Sequence, residues 1–109
     1  MAHDVFISYS SKDKPVADAA CATLEDHGIR CWIAPRDIPP GADWSASIVE
    51  AITACKVMVL VFTENSNASA QVKREVERAV AKGKALVPLR LEDVPLSPSL
   101  EYFINVSSA

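Results

Sequence analysis

The sequence predicts an α/β domain built on a parallel sheet with helices on both faces. Three observations carry this. Short apolar runs alternate with segments of helical periodicity along the whole chain. The spacing between runs leaves room for a crossover helix each time, as parallel neighbours require. The chain has 109 residues, the length of one domain, and half of them are hydrophobic, enough for a real core.

Asp4–Ser8 is the first apolar run and the first predicted strand. Tyr9–Lys12 turns the chain, Asp13 is a good N-cap, and Pro15 is tolerated in the first helical turn. Val16, Ala20, Thr23, Leu24 and His27 then recur at helical spacing. Gly28 ends that helix, and His27 in its last turn reads as a cap rather than a ligand. Ile29–Ile33 is the second predicted strand. Ala34–Gly41 follows, with three prolines and a glycine in eight residues, so it is neither helix nor strand. It is expected to be a stiff, exposed loop carrying the charge pair Arg36 and Asp37 and one apolar residue, Ile38, between prolines. Such a tip suits recognition, because little conformational entropy remains to be lost on binding.

A helix is predicted from about Asp43, with Trp44, Ile48, Ile52 and Cys55 on one face. Lys56–Phe62 is the most hydrophobic run and so the expected central strand. A polar turn rich in Asn and Ser leads into a helix that Gly83 stops. Ala85–Leu91 is the fourth predicted strand, expected to be irregular at Pro88, which donates no ladder bond. Glu92–Ser99 reads as loop, Leu100–Phe103 as a turn of helix, and Ile104–Val106 as a fragment of a fifth strand.

Composition excludes several classes. A net charge of −3 offers no basic field for nucleic acid. Three cysteines without paired spacing do not make a disulfide framework, and Cys21, Cys31 and Cys55 fall on apolar positions where core packing is the default. No run approaches the roughly 20 apolar residues of a membrane helix. Asp4 interrupts the only early apolar stretch, so no signal peptide is expected and a reducing, cytoplasmic setting is. No G-x-G-x-x-G or P-loop follows a strand, and no Cys/His cluster suits zinc. A receiver-type phosphoacceptor needs an Asp ending the third strand, where Thr63 stands, and His3 and His27 are not placed to serve a Ser or Cys nucleophile.

The stretch Thr63–Val80 draws the chemistry to one place. In a parallel sheet, ligands gather beyond the carboxyl ends of the strands. Three segments meet that edge: Ser8–Lys12, Ala34–Gly41 and Thr63–Ser69. On the helix that follows, Val72, Val76, Ala79 and Val80 fall in one stripe about 100° wide. Glu75 borders the stripe, roughly 40° from Ala79, whereas Glu77 lies farther out. A carboxylate at the edge of a buried face is partly desolvated, and desolvation tunes it for chemistry. The alternative is a solvated helix with ion pairs Lys73–Glu77 and Glu75–Arg78.

These residues resemble a known family. Asp4-Val5-Phe6-Ile7-Ser8-Tyr9-Ser10 looks like the first signature box of TIR domains, and Arg36-Asp37-Ile38-Pro39-Pro40-Gly41 resembles the second, the BB loop. Ser69-x-Gln71-Val72-x-x-Glu75-Val76 is similar to the stretch holding the catalytic glutamate of NAD-cleaving TIR domains, and Ser97–Ile104 resembles the run towards the last strand. The likeness covers nearly the whole chain and looks bacterial in wording. NAD-cleaving relatives often carry a Trp where Gln71 stands. The resemblance implies a flavodoxin-like three-layer sandwich with a five-stranded parallel sheet of order 2-1-3-4-5. It also implies that residues 1–109 are one TIR domain lacking its last helix and belonging to a larger multidomain protein.

Two functions of different class follow from the resemblance. The first is an enzyme, an NAD+ hydrolase or cyclase activated by self-assembly, in bacterial immune defence. Glu75 would stabilise the sugar cation formed as nicotinamide leaves, Tyr9, Ser10 and Ser11 would line the pocket with Gln71, and Trp32 would support it from the second strand. NAD+ is then the substrate, and no cofactor or metal is required. The second is a signalling adaptor, in which the loop Arg36, Asp37, Ile38, Pro39, Pro40 and Gly41 docks on another TIR domain and Glu75 is a surface residue. The two coexist where the loop of one copy completes the site of its neighbour. Neither involves direct contact with nucleic acid or membrane.

Overall fold

The computed structural model describes residues 3–92, 95–98 and 100–102. Four parallel strands form one sheet in the order β2-β1-β3-β4, the flavodoxin-like arrangement. The elements are β1 (Val5–Ser8), α1 (Lys14–Asp26), β2 (Cys31–Trp32), α2 (Trp44–Ala54), β3 (Val57–Phe62), α3 (Glu64–Asn67), α4 (Ala70–Ala81) and β4 (Ala85–Arg90). A single 3₁₀ turn, Ser11–Asp13, joins β1 to α1. The predicted fifth strand, Ile104–Val106, lies outside the described residues. Pro98 and Leu100–Tyr102 are helical, and Leu100 is buried, as the expected helical turn there requires.

Two apolar layers hold the sheet. Phe6, Met58, Leu60, Phe62 and Leu86 point to the face covered by α2 and α4, where they meet Ile52, Val72, Val76 and Ala79. Val5, Ile7, Val61 and Ile33 point to the opposite face and meet Ala17 and Cys21 of α1. Side chains alternate along each strand, so the two layers interleave by sequence parity. The three cysteines are buried free thiols in these layers.

Several local readings are corrected. Val16 is 40% exposed, and the buried face of α1 is Ala17 and Cys21, with Leu24 partly covered. Small apolar residues surround α1 on every side, so periodicity alone does not fix its phase. The second strand is short, Cys31–Trp32 only. The polar stretch after β3 is not a plain turn. Thr63 and Ser66 form a reciprocal capping box that closes the one-turn helix α3. Asp13 is the N-cap residue of α1 by position, yet its side chain makes no cap bond. It accepts instead from Thr63 Oγ1 at 2.5 Å and Asn65 Nδ2 at 3.1 Å, tying the loop after β1 to the loop after β3.

Pro88 does not disturb β4. The register runs unbroken through Leu60 opposite Pro88. The Leu91 N–H donates to Phe62 O, so alternate residues of β4 aim their nitrogens at β3 and Pro88 aims its own away. No donor to β3 is lost. Val87, in register with Val59, and Leu89 project to the α1 side and are exposed among the described residues.

Candidate active site

The site forms where α4 crosses the carboxyl end of β1. Ser69 caps α4, its hydroxyl accepting from the Val72 N–H at 3.2 Å. That start places Val72, Val76 and Ala79 against the sheet and Glu75 beside them, only 8% exposed. Phe6 faces the α2 and α4 layer, so Ser8, two residues on, faces the same way at the end of the strand. Ser8 is fully buried, and its hydroxyl donates to Glu75 Oε1 at 2.7 Å. Gln71, one turn before Glu75, donates its Nε2 amide to Oε2 at 3.2 Å. Each carboxylate oxygen thus has one donor. Neither of the ion pairs expected of a solvated helix, Lys73–Glu77 or Glu75–Arg78, occurs among the described residues.

Burial dominates the electrostatics. It pushes Glu75 up from 4.5 to about 6, while the Ser8 and Gln71 bonds and the charge of Arg74 pull it partly back. The group is therefore an anion at neutral pH, but a basic and weakly solvated one. Chemistry that needs the anion should lose rate as pH falls through about 6 rather than through 4.5. Ser8→Ala removes a donor to the charged form, so the midpoint of kcat/KM against pH should move upward. A midpoint that stays near 4.5 in both proteins would mean that Glu75 is not the titrating group.

A groove of about 800 Å³ opens beside Glu75, between α2 and α4. Ile48 and Ile52 give it an apolar floor, Trp44 stands on the α2 side, and Gln71, Glu75 and Arg74 line the α4 side. A mostly buried carboxylate that still reaches a groove of this size can meet the ribose of a nucleotide-sized ligand.

Of the other expected site residues, Gln71 lines this groove, and Tyr9, Ser10, Ser11 and Trp32 do not. Tyr9 is half-buried and its hydroxyl donates to Ala34 O, fastening the end of β1 to the start of the loop. Burial raises its phenol, the charge of Lys14 opposes this, and those of Asp18 and Glu75 add to it. Ser10 is buried and accepts from the Lys12 N–H at 3.3 Å, capping the 3₁₀ turn, whereas Ser11 is exposed. None of the three borders the α2–α4 groove. Trp32 stacks on Phe6 with ring centres 5.2 Å apart and 10° between planes. It opens to a different groove of about 720 Å³, shared with His3 and Asp37, so the structure does not bring it to Glu75.

The charge pair of the proline-framed loop turns back onto its own domain. Arg36 forks onto Glu25 of α1 at 2.9 and 3.0 Å and also donates to Asp37 and to Cys31 O. Those carboxylates raise the Arg36 guanidinium, and the Arg36 bonds lower Glu25. Asp37 accepts from the Ile33 N–H at 2.8 Å, and the Asp37 N–H donates to Ile33 O at 3.0 Å. Ile38 is half-buried rather than displayed, leaving Pro39, Pro40 and Gly41 as the exposed tip.

Ser8 is not among the expected site residues, and Trp44 shares the expected face of α2 with Ile48 and Ile52 but lines the groove. Parity with Phe6 would have aimed Ser8 at the same layer as Glu75. Trp44 directly follows its N-cap, Asp43, whose carboxylate accepts from the Ala46 N–H at 3.0 Å. As the first residue of α2 it stays 55% exposed instead of joining the core. Among the described residues, no group of three or more His, Cys, Asp or Glu could hold a metal ion. No described helix is long and apolar enough to cross a membrane.

Known structures share this fold. The TIR domain of a Toll-related receptor, TRR-2, from Hydra magnipapillata superposes with a TM-score of 0.81 at 20% identity, covering 92% of this chain and 79% of that one. A metazoan TIR-STING receptor from C. gigas superposes at 0.74 with 30% identity, covering 96% of this chain but 40% of that one. A CMP N-glycosidase from Clostridium botulinum shares the fold at 0.69 and 19% identity, covering 95% of this chain and 82% of that one. No curated protein matches the chain. The family sequence model described as TIR domain matches residues 5–108, and the chain belongs to the TIR domain family.

Proposed function

We propose that this TIR domain cleaves the bond between nicotinamide and ribose in NAD+, with Glu75 as the catalytic residue. The observation that carries the reading is the buried Glu75 carboxylate, held by Ser8 and Gln71 at the wall of the α2–α4 groove. The C1′–N bond breaks with its electron pair passing to the nicotinamide nitrogen, which loses its positive charge. The sugar becomes oxocarbenium-like, and a carboxylate beside it stabilises that cation in a poorly solvated site. Water attacking C1′ gives ADP-ribose and releases a proton, which Glu75 or solvent accepts. An internal adenine nitrogen attacking instead gives a cyclic product.

One observation favours the adaptor reading beside it. The loop 34–41 is pinned by Arg36 and Asp37, and a pinned tip presents Pro39 and Pro40 to a partner at little entropic cost. Docking on another TIR domain and catalysis are compatible, and we take self-assembly through this tip to activate the enzyme.

The substrate test is release of free base from NAD+, nicotinamide mononucleotide and CMP, followed by chromatography at high protein concentration. Nicotinamide should appear from NAD+, because its cationic ring is the better leaving group and cytosine in CMP is neutral. Cytosine release without nicotinamide would place the enzyme among nucleotide N-glycosidases of another substrate class. No base from any of the three would leave the adaptor reading alone.

A further inference from the structure

The groove beside Glu75 carries side chains that bond cleavage does not use. Trp44 stands at its α2 wall with more than half of its surface open. A large aromatic face left uncovered inside a concave site is a ready platform for a flat ring. Arg74 and Arg78 line the α4 wall, four residues apart and so one above the other along the helix. Neither forms an ion pair among the described residues, although Glu77 lines the same wall. The groove wall carries these two guanidinium groups beside the carboxylates of Glu75 and Glu77, and Glu75 is already committed to Ser8 and Gln71. Guanidinium forks match phosphate oxygens in charge and geometry. A volume of about 800 Å³ admits a base, a ribose and a phosphate together.

We infer that the α2–α4 groove is a nucleotide subsite, in which Trp44 stacks on an aromatic base while Arg74 and Arg78 hold the phosphate. The inference rests on the proposed function only for the position of the ribose at Glu75. The groove belongs to one chain, so nucleotide binding does not require assembly. Trp44 also supplies a stacking face that Gln71, four residues before Glu75, cannot offer.

The test titrates the wild-type chain calorimetrically with ADP-ribose, which carries no nicotinamide bond to cleave. Adding Trp44→Ala, or Arg74→Gln with Arg78→Gln, should weaken binding about tenfold in each case. Ribose 5-phosphate, which lacks a base, should respond to the arginine changes and not to Trp44→Ala. ADP-ribose affinity unaltered by both sets of changes, or no binding to the parent chain, would overturn the subsite. The two proposals separate cleanly. If wild-type chain releases no nicotinamide but ADP-ribose binding still falls in these variants, the subsite stands and the cleavage reading fails. If nicotinamide is released and KM is indifferent to Trp44→Ala and to the arginine changes, the cleavage reading stands and the subsite fails.

Discussion

Glu75→Gln is expected to abolish NAD+ cleavage and, at pH 7, to make the domain more stable. Folding raises the Glu75 carboxyl from 4.5 to about 6. Below pH 4.5 the group is protonated in both the folded and the unfolded chain, and burial of its charge costs nothing. As pH rises through about 6 the folded chain must give up the proton in a place that disfavours the anion. Stability is lost over that window, by about 2 kcal/mol at one unit per 1.4 kcal/mol. Glutamine has nearly the same shape and no charge to desolvate, and its amide oxygen can still accept from Ser8. The unfolding midpoint at pH 7 should therefore rise by several degrees, about 5–10 °C for a domain of this size. At pH 5 the gain should shrink, because wild-type Glu75 is then largely neutral. Turnover should fall by about 10³ or more, since a neutral side chain cannot stabilise the sugar cation. Thermal scans at the two pH values, beside nicotinamide release, check both halves. A lower midpoint at pH 7 would show that the carboxylate is a structural asset and not a strained functional group.

Pro40→Asp is expected to suppress assembly and activity together while leaving the unfolding midpoint in place. Pro39 and Pro40 are exposed at a tip whose base is fixed by the Arg36 fork and the Asp37 bonds. A charge there touches nothing inside the domain but would face a neighbour's surface. Ile38→Asp is a less clean probe, since Ile38 is half-buried and the substitution loosens the loop itself. Any side chain at Gly41, with φ of +78°, adds strain of about 1–2 kcal/mol and reshapes the tip. Contacts between the tip of one copy and a different face of the next are heterologous, and such contacts extend into filaments when the rotation does not close. Activity per molecule should climb at least about tenfold from dilute to concentrated wild-type protein, in step with light scattering, and should stay at the dilute level for Pro40→Asp. Specific activity that is flat with concentration, and unchanged by Pro40→Asp, would show that each domain owns a complete site.

Legibility in the sequence followed the strength of each local signal. β1, β3 and α4 were readable because apolar runs and a clean helical stripe leave one solution each. Phase beside Val76 and Ala79 set Glu75 apart from Glu77, the resemblance singled it out as a site, and the structure places it almost out of solvent. α1 was not readable in phase, because alanines on all its faces make Ala17 and Val16 equivalent to a periodicity argument. Trp32, expected to support the pocket, lies at another groove, and Trp44, read only as part of the α2 face, lines the one beside Glu75. Trp32 packs on Phe6 because β2 and β1 are paired there, a contact between residues 26 positions apart, while Trp44, the first residue of α2, stays outside the core. Ser8 was legible in part, through its parity with Phe6 along β1, but the side chain of Asp13, which turns from its helix towards Thr63, depends on which loops meet at the carboxyl edge. Tertiary contacts of that kind leave no mark in local spacing.

The most direct measurement is a time course of nicotinamide release from NAD+ at one high protein concentration, with wild type, Glu75→Gln and Glu77→Gln side by side and their unfolding midpoints recorded. Glu75 is buried on Ser8, whereas Glu77 is exposed on the outer part of the same helix. Wild type and Glu77→Gln should release nicotinamide at rates within a few-fold of each other, and Glu75→Gln should show none above background. Equal loss from both substitutions in folded protein, or release by Glu75→Gln at the wild-type rate, would contradict the assignment of Glu75.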